Sequence, residues 1–169
     1  MPTLIEIKAK CDNPNTVREV LMKRKARFIG EDHQIDTYFK VPSGRLKLRE
    51  GNIEKTLIFY QRNNQTGPKK SEVLLYRPEE TTALRKVLEA SMGILAVVDK
   101  KREIYFIDNV KFHIDTVKNL GSFIEIEAID EKGDISEAIL LEQCRYYMTQ
   151  LGVEEDSLVE NSYSDMLLQ

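Results

Sequence analysis

The chain has 169 residues, with 25 lysines and arginines against 28 aspartates and glutamates, giving a formal charge of −3. That length suits a single domain, 1–169, able to bury a proper core. A 41% hydrophobic and 31% charged composition excludes a disordered chain, and no run approaches the roughly 20 apolar residues of a membrane span.

The opening Met1-Pro2-Thr3-Leu4-Ile5-Glu6 has no signal-peptide layout. Two cysteines, Cys11 and Cys144, cannot build a disulfide framework, so a reducing cytoplasm is the expected setting. A mildly acidic total argues against a nucleic-acid coat and leaves room for a local basic pocket.

In chain order, Leu4 to Cys11 alternates as a strand, with Ile5, Ile7, Ala9 and Cys11 on one side and Glu6, Lys8 and Lys10 on the other. Asn13-Pro14 predicts a helix start, and Val17, Val20, Leu21 and Phe28 form a stripe ending at Gly30. Strands are predicted at about 33–40, 45–50 and 56–62, then a polar loop through Gly67-Pro68-Lys69-Lys70 and a strand at 71–76. Pro78-Glu79-Glu80 opens a helix whose Leu84, Val87, Leu88 and Met92 stripe stops at Gly93. Strands follow at about 96–107, 110–116 and 122–129, with a helix over 135–151. The barrel and its covering helices are placed at about 3–152. The acidic tail, 153–169, carries Leu158, Val159, Tyr163, Met166 and Leu167 to pack back on the body.

This makes an α+β, β-dominated chain of eight strands joined mostly as hairpins. An even antiparallel set of this size closes into a barrel able to hold one small ligand, with helices packed outside. An open sheet covered on one face by helices has the same periodicity.

The charges repeat along one face of strand after strand. Arg45, Lys47 and Arg49 share a face, Lys100 and Arg102 are two apart, Lys111, His113 and Asp115 alternate with Phe112 and Ile114, and Glu125 and Glu127 alternate with Ile124 and Ile126. Any one such strand is explained by a solvated polar face with modest cross-strand ion pairs. Several together, almost without Ser, Thr or Gln between them, suggest a charged tunnel, wet or occupied because burying bare charge is costly. Glu6, Glu125 and Glu127 are hard oxygen donors suited to Mg²⁺ or Mn²⁺. Lys10, Lys47, Arg49 and Arg102 are donors suited to phosphate, and Lys8, Arg45, Lys100 and Lys111 share the same faces. A polyphosphate chain needs both kinds of group.

At these residues the sequence resembles the CYTH superfamily, the triphosphate tunnel metalloenzymes, and its class IV adenylate cyclase branch most. Ile5-Glu6-Ile7-Lys8-Ala9-Lys10 resembles the E-x-E-x-K signature, and Gln34-Ile35-Asp36-Thr37-Tyr38-Phe39 the Q-x-D-x-Y-F segment. Leu46-Lys47-Leu48-Arg49 resembles L-R-x-R, and Lys100-Lys101-Arg102 resembles K-x-R. Ile114-Asp115-Thr116-Val117 with Leu120-Gly121-Ser122-Phe123-Ile124-Glu125-Ile126-Glu127 is similar to D-x-V…L-G-x-F-x-E-I-E, and Ser162-Tyr163-Ser164-Asp165-Met166-Leu167 to the branch's closing segment.

The resemblance implies an eight-stranded antiparallel tunnel that binds triphosphate with Mg²⁺ or Mn²⁺. It puts Glu6, Glu125 and Glu127 at metal positions, Asp115 as a further metal or substrate contact, and Lys10, Lys47, Arg49 and Arg102 on phosphate. Departures are plain. Lys8 replaces the signature's second glutamate, Lys47 replaces an arginine, and the fourth strand's lysine is met only by Gln61 or Arg62, while Lys69 or Lys70 reaches for the mouth.

Three functions follow: an adenylate cyclase acting on ATP, a hydrolase of thiamine triphosphate or inorganic triphosphate, and a polyanion-binding module without catalysis. The expected partner is a nucleoside triphosphate or other small triphosphate, with no membrane, and an outer helix or strand edge leaves room for a homodimer. His33 and His113 make no metal spacing and read as structural or rim residues. Cys11 and Cys144 read as packing residues. No glycine-rich phosphate loop is present, so side chains must do the gripping.

Overall fold

The computed structural model describes residues 2–61 and 65–169. Its strands are β1 (Thr3–Lys10), β2 (Arg27–Phe39), β3 (Arg45–Glu50), β4 (Lys55–Gln61), β5 (Lys69–Tyr76), β6 (Ile94–Ile107), β7 (Val110–Val117) and β8 (Gly121–Asp130). Among the described residues these eight form one closed antiparallel barrel in the order β1-β5-β4-β3-β2-β6-β7-β8, with β8 back on β1. The helices are α1 (Pro14–Lys23), α2 (Thr82–Met92), α3 (Glu137–Gln150) and the short α4 (Tyr163–Leu167).

The barrel is inside out relative to a globular core. Ile5, Ile7 and Ala9 of β1, Phe112 and Ile114 of β7, and Ile124, Ile126 and Ala128 of β8 face outward and are buried. They are covered by Val17 and Leu21 of α1 and by Leu140 and Cys144 of α3. Fully burying each such aliphatic side chain is worth about 1.5–3 kcal/mol, which fixes the register. A slip of one residue would carry the glutamates and lysines of these strands into the apolar layer.

Pro14 opens α1 at a position where its missing N–H costs nothing. The helix stops at Lys23, earlier than the predicted stripe ending at Gly30, because Lys25 takes a left-handed φ of 57° and the chain turns straight into β2. Phe28 therefore belongs to a strand, its ring 4.9 Å from that of Tyr105 across the β2–β6 ladder. Gly30, with φ of 146°, sits where this ladder shifts register. Ser136 caps α3 by accepting from the Ile139 N–H at 3.3 Å, and Ser162 with Asp165 forms a reciprocal capping box on α4.

Two segments lie across the barrel ends. At one, Asp32 accepts the backbone N–H groups of Ile53 (2.9 Å) and Glu54 (3.0 Å), tying the β3–β4 turn over the lumen. Gly51 permits this approach, since a Cβ there would stand 2.5 Å from Asp32 Oδ2. At the other end the tail crosses β1, where the Val159 N–H donates to the Lys8 carbonyl at 2.9 Å, and α4 seats Tyr163 beside Phe123, Tyr38, Val98 and Val117.

Candidate active site

Strand alternation sends Glu6, Lys8, Asp36, Lys47, Arg49, Lys100, Arg102, His113, Asp115, Glu125 and Glu127 to the inner face, where most are buried. The wall built by β2, β3 and β6 is cationic and centred on Asp36. Arg49 grips that carboxylate with two hydrogen bonds, Nε to Oδ1 at 3.0 Å and Nη2 to Oδ2 at 2.9 Å. Lys100 Nζ approaches Oδ2 at 2.5 Å and Lys47 Nζ at 3.7 Å. Burial by itself would raise the Asp36 pKa, yet Arg49, Lys100 and Lys47 together outweigh it and hold the carboxyl well below the usual range.

Next around the barrel, Arg102 is held by Asp115 in a second two-point pair, both contacts at 2.8 Å, and also donates to Glu125 Oε1 at 3.1 Å. Tyr163 of the tail donates its hydroxyl to Asp115 Oδ2 at 2.7 Å. Lys8 lies with Nζ 4.0 Å from the Tyr163 ring centre and donates to the Asn161 carbonyl at 3.3 Å. Burial draws its pKa down, against the opposing pull of Glu125. Lys69 donates to the Glu160 carbonyl, and Arg45 pairs with Asp165 of α4 at 3.0 Å. Toward the other end Lys111 Nζ meets Glu54 Oε2 at 2.6 Å, and Gln34 bridges Asp32 and Glu54.

The remaining wall is acidic. Glu6 stands opposite Glu127 on the β1–β8 ladder, and Glu125 opposite both Lys8 and His113. His113 Nδ1 is 3.7 Å from Glu125 Oε2 and 3.7 Å from Glu127 Oε1, and donor atoms of the three residues lie within 4.8 Å of one another. Burial by itself would raise the Glu125 pKa, as it would for Asp36, but Arg102 reverses this and keeps the carboxyl well below its ordinary pKa. His113 is 1% exposed with neither ring nitrogen hydrogen-bonded among the described residues. An orphaned imidazole between two ionised carboxylates is a donor set that fits a divalent cation.

The expected site residues thus fall into three groups. Glu6, Lys8, Lys47, Arg49, Lys100, Arg102, Asp115, Glu125 and Glu127 share the lumen, with Lys111 and Arg45 toward its ends. Lys10 is exposed at the rim next to Phe123. Arg62 lies outside the described residues. Sequence reasoning passed over Asp36, Glu54 and Tyr163 as site residues and read His113 as structural or rim. The structure places His113 inside the lumen, 1% exposed, rather than on the rim. Its signal was its place on one face with Lys111 and Asp115, and the carboxylates grouped with it, Glu125 and Glu127, come from the neighbouring strand, which no spacing along the chain reveals.

The CYTH domain model matches residues 3–163, and the chain belongs to that family. The chain is 26% identical over 175 residues to the putative adenylate cyclase MJ0240 of Methanocaldococcus jannaschii, covering 96% of this chain and 97% of that one. Its fold is similar to that of the PH1012 protein of Pyrococcus horikoshii, with a TM-score of 0.83 at 21% identity over 96% of this chain and 98% of the other. A more distant similarity, TM-score 0.61 at 13% identity over 98% and 94%, is to the Hippeastrum protein HpAC1, described as a putative adenylyl cyclase with a dominant triphosphatase activity. The barrel is therefore the triphosphate tunnel of a family of metal-dependent enzymes that bind triphosphate substrates. No helix among the described residues is long and apolar enough to cross a membrane.

Proposed function

We propose that this protein is a metal-dependent enzyme that holds ATP by its triphosphate inside the barrel and converts it to cyclic AMP and pyrophosphate. The carrying observation is the division of one enclosed lumen into a cationic wall at Lys47, Arg49 and Lys100 and an acidic wall at Glu6, Glu125 and Glu127. The adenylate cyclase name of the Methanocaldococcus relative supports the choice of reaction.

In this reaction the 3′-hydroxyl oxygen bonds to the α-phosphorus, the bond from that phosphorus to the α–β bridging oxygen breaks, the hydroxyl proton is released, and pyrophosphate departs. Lys47, Arg49, Lys100 and Arg102 bind and orient the phosphate oxygens, the arginines with two donors each. Lys8, Arg45 and Lys111 extend the grip along the lumen, with Lys10 meeting substrate at the rim. Asp36 keeps the lysines and Arg49 pre-aimed, and an entering phosphate competes with it for them. Asp115 has both oxygens engaged by Arg102 and Tyr163, so its role is to fix Arg102 rather than to ligate an ion. Glu6, Glu125 and Glu127 would hold Mg²⁺ or Mn²⁺, which supplies neutralisation of charge on the phosphate oxygens and leaving group.

A second reading, attack of water on the terminal phosphorus with release of phosphate, is favoured by the chemistry of the lumen itself. Its ion-pairing and hydroxyl groups serve a phosphate chain whichever phosphorus reacts, and the Hippeastrum protein's described triphosphatase activity points the same way. Purified protein incubated with Mn²⁺ or Mg²⁺ and either ATP or inorganic triphosphate separates the two. Cyclic AMP with equimolar pyrophosphate is expected. Phosphate release alone establishes the hydrolase, and tight triphosphate binding without turnover leaves a polyanion-binding module. Neither binding nor turnover defeats all three.

A further inference from the structure

We propose that His113 is a direct nitrogen ligand of the catalytic ion, completing a site with Glu125 and Glu127 that selects Mn²⁺ or Co²⁺ over Mg²⁺. This deepens the metal-dependent triphosphate reading and rests on it.

Three observations converge. First, His113 is 1% exposed and both its ring nitrogens lack a hydrogen-bond partner among the described residues. Leaving a buried polar group unmet is costly, so native proteins supply a partner. Second, the geometry singles out one direction. Nδ1 is equidistant, at 3.7 Å, from an oxygen of Glu125 and an oxygen of Glu127, too far for hydrogen bonds and close enough for the three groups to face one ion. Metal–donor distances of about 2.0–2.2 Å put opposed donors near 4.4 Å apart, against the 4.8 Å limit within which these atoms lie. Third, β1 presents Lys8 directly across from Glu125, so the ladder offers a cation where a further carboxylate would strengthen an all-oxygen site. The imidazole on β7 restores the donor count from the other side of Glu125.

An imidazole ligates a metal through the lone pair of a neutral ring nitrogen. Two carboxylates and one imidazole make a mixed site. Oxygen donors alone suit Mg²⁺, whereas imidazole raises affinity for first-row transition ions along the usual order.

The chain has two histidines, and His33 is exposed and paired with Asp99, so an imidazole nitrogen signal from a bound ion has one source. Pulsed electron paramagnetic resonance of the Mn²⁺-loaded protein should show ¹⁴N modulation that disappears in His113→Leu. By calorimetry, His113→Leu should weaken Mn²⁺ binding by about 10-fold or more while Mg²⁺ binding changes little. Mn²⁺ bound without nitrogen coupling, or equal losses for both ions, overturns the ligand role and leaves the metal reading standing. No divalent binding to the wild-type protein overturns both. The wild-type spectrum decides the matter even if the variant misfolds.

Discussion

The two walls of the lumen solve the problem of buried charge in opposite ways. On the β2–β3–β6 wall, Lys47, Arg49 and Lys100 converge on one carboxylate, Asp36, which offsets part of their charge and leaves the wall cationic. On the β7–β8–β1 wall, His113 Nδ1 faces an oxygen of Glu125 and an oxygen of Glu127 at 3.7 Å each, and Arg102 reaches only Glu125 Oε1. The first wall carries an internal counter-ion with which an entering anion must compete. The second gathers acidic oxygens and a ring nitrogen around one point. A triphosphate carrying a divalent ion matches both, the phosphates competing with Asp36 and the ion meeting the carboxylates and imidazole.

The largest effect should come from removing the counter-ion that the cationic wall shares. Asp36→Ala strands three cations and should cost about 3–5 kcal/mol in unfolding free energy, read by denaturant titration, with added inorganic triphosphate restoring part of the loss. An unchanged midpoint would show that Asp36 is not their counter-ion. The same group sets an acid limit. Its folded-state pKa is depressed, so the folded protein binds fewer protons than the unfolded chain as pH falls through the ordinary carboxylate range. Its stabilisation is therefore present above about pH 4 and is lost progressively below it. Asp36→Asn should flatten that part of the stability–pH curve.

On the acidic wall, Glu127→Ala should leave the fold intact and lower metal-dependent turnover by about 100-fold; wild-type rates at saturating Mn²⁺ would remove Glu127 from the metal site. Tyr163→Phe deletes one hydrogen bond to an ionised carboxylate and should cost about 1.5 kcal/mol, with faster hydrogen exchange in residues 158–167 than elsewhere. Equal exchange throughout would mean that Tyr163 does not pin the tail. The smallest expected change is Lys8→Glu, which should raise metal affinity severalfold by adding a carboxylate beside Glu125. Weaker triphosphate binding with unchanged metal affinity would assign Lys8 to the phosphate grip alone.

Much of this arrangement is written in strand alternation. Glu6 and Lys8 against Ile5 and Ile7, or Glu125 and Glu127 against Ile124 and Ile126, state which face is charged, and closure then aims those faces inward. The order of motifs from Glu6 to Glu127 carries the family. What alternation cannot express is which residues meet across strands. Asp32, Gln34, Asp36 and Tyr38 are a polar face in the sequence, yet only the β2–β3 and β2–β6 registers make Asp36 the hub of three cations. His113 was visible on the charged face of its strand, but its meaning depends on standing beside Glu125 in the β7–β8 ladder. The early end of α1 was hidden for a local reason, the left-handed turn at Lys25, which no apolar stripe records.

The decisive measurement is calorimetric titration of inorganic triphosphate into the wild-type protein, Arg49→Ala and Glu125→Ala, each with and without Mn²⁺. Binding to the wild type at one per chain is expected, tightened by Mn²⁺, with Arg49→Ala weakening it in both conditions and Glu125→Ala removing only the Mn²⁺ enhancement. Triphosphate that fails to bind, or binds equally to all three proteins, would contradict the account of two walls closing on one polyphosphate chain.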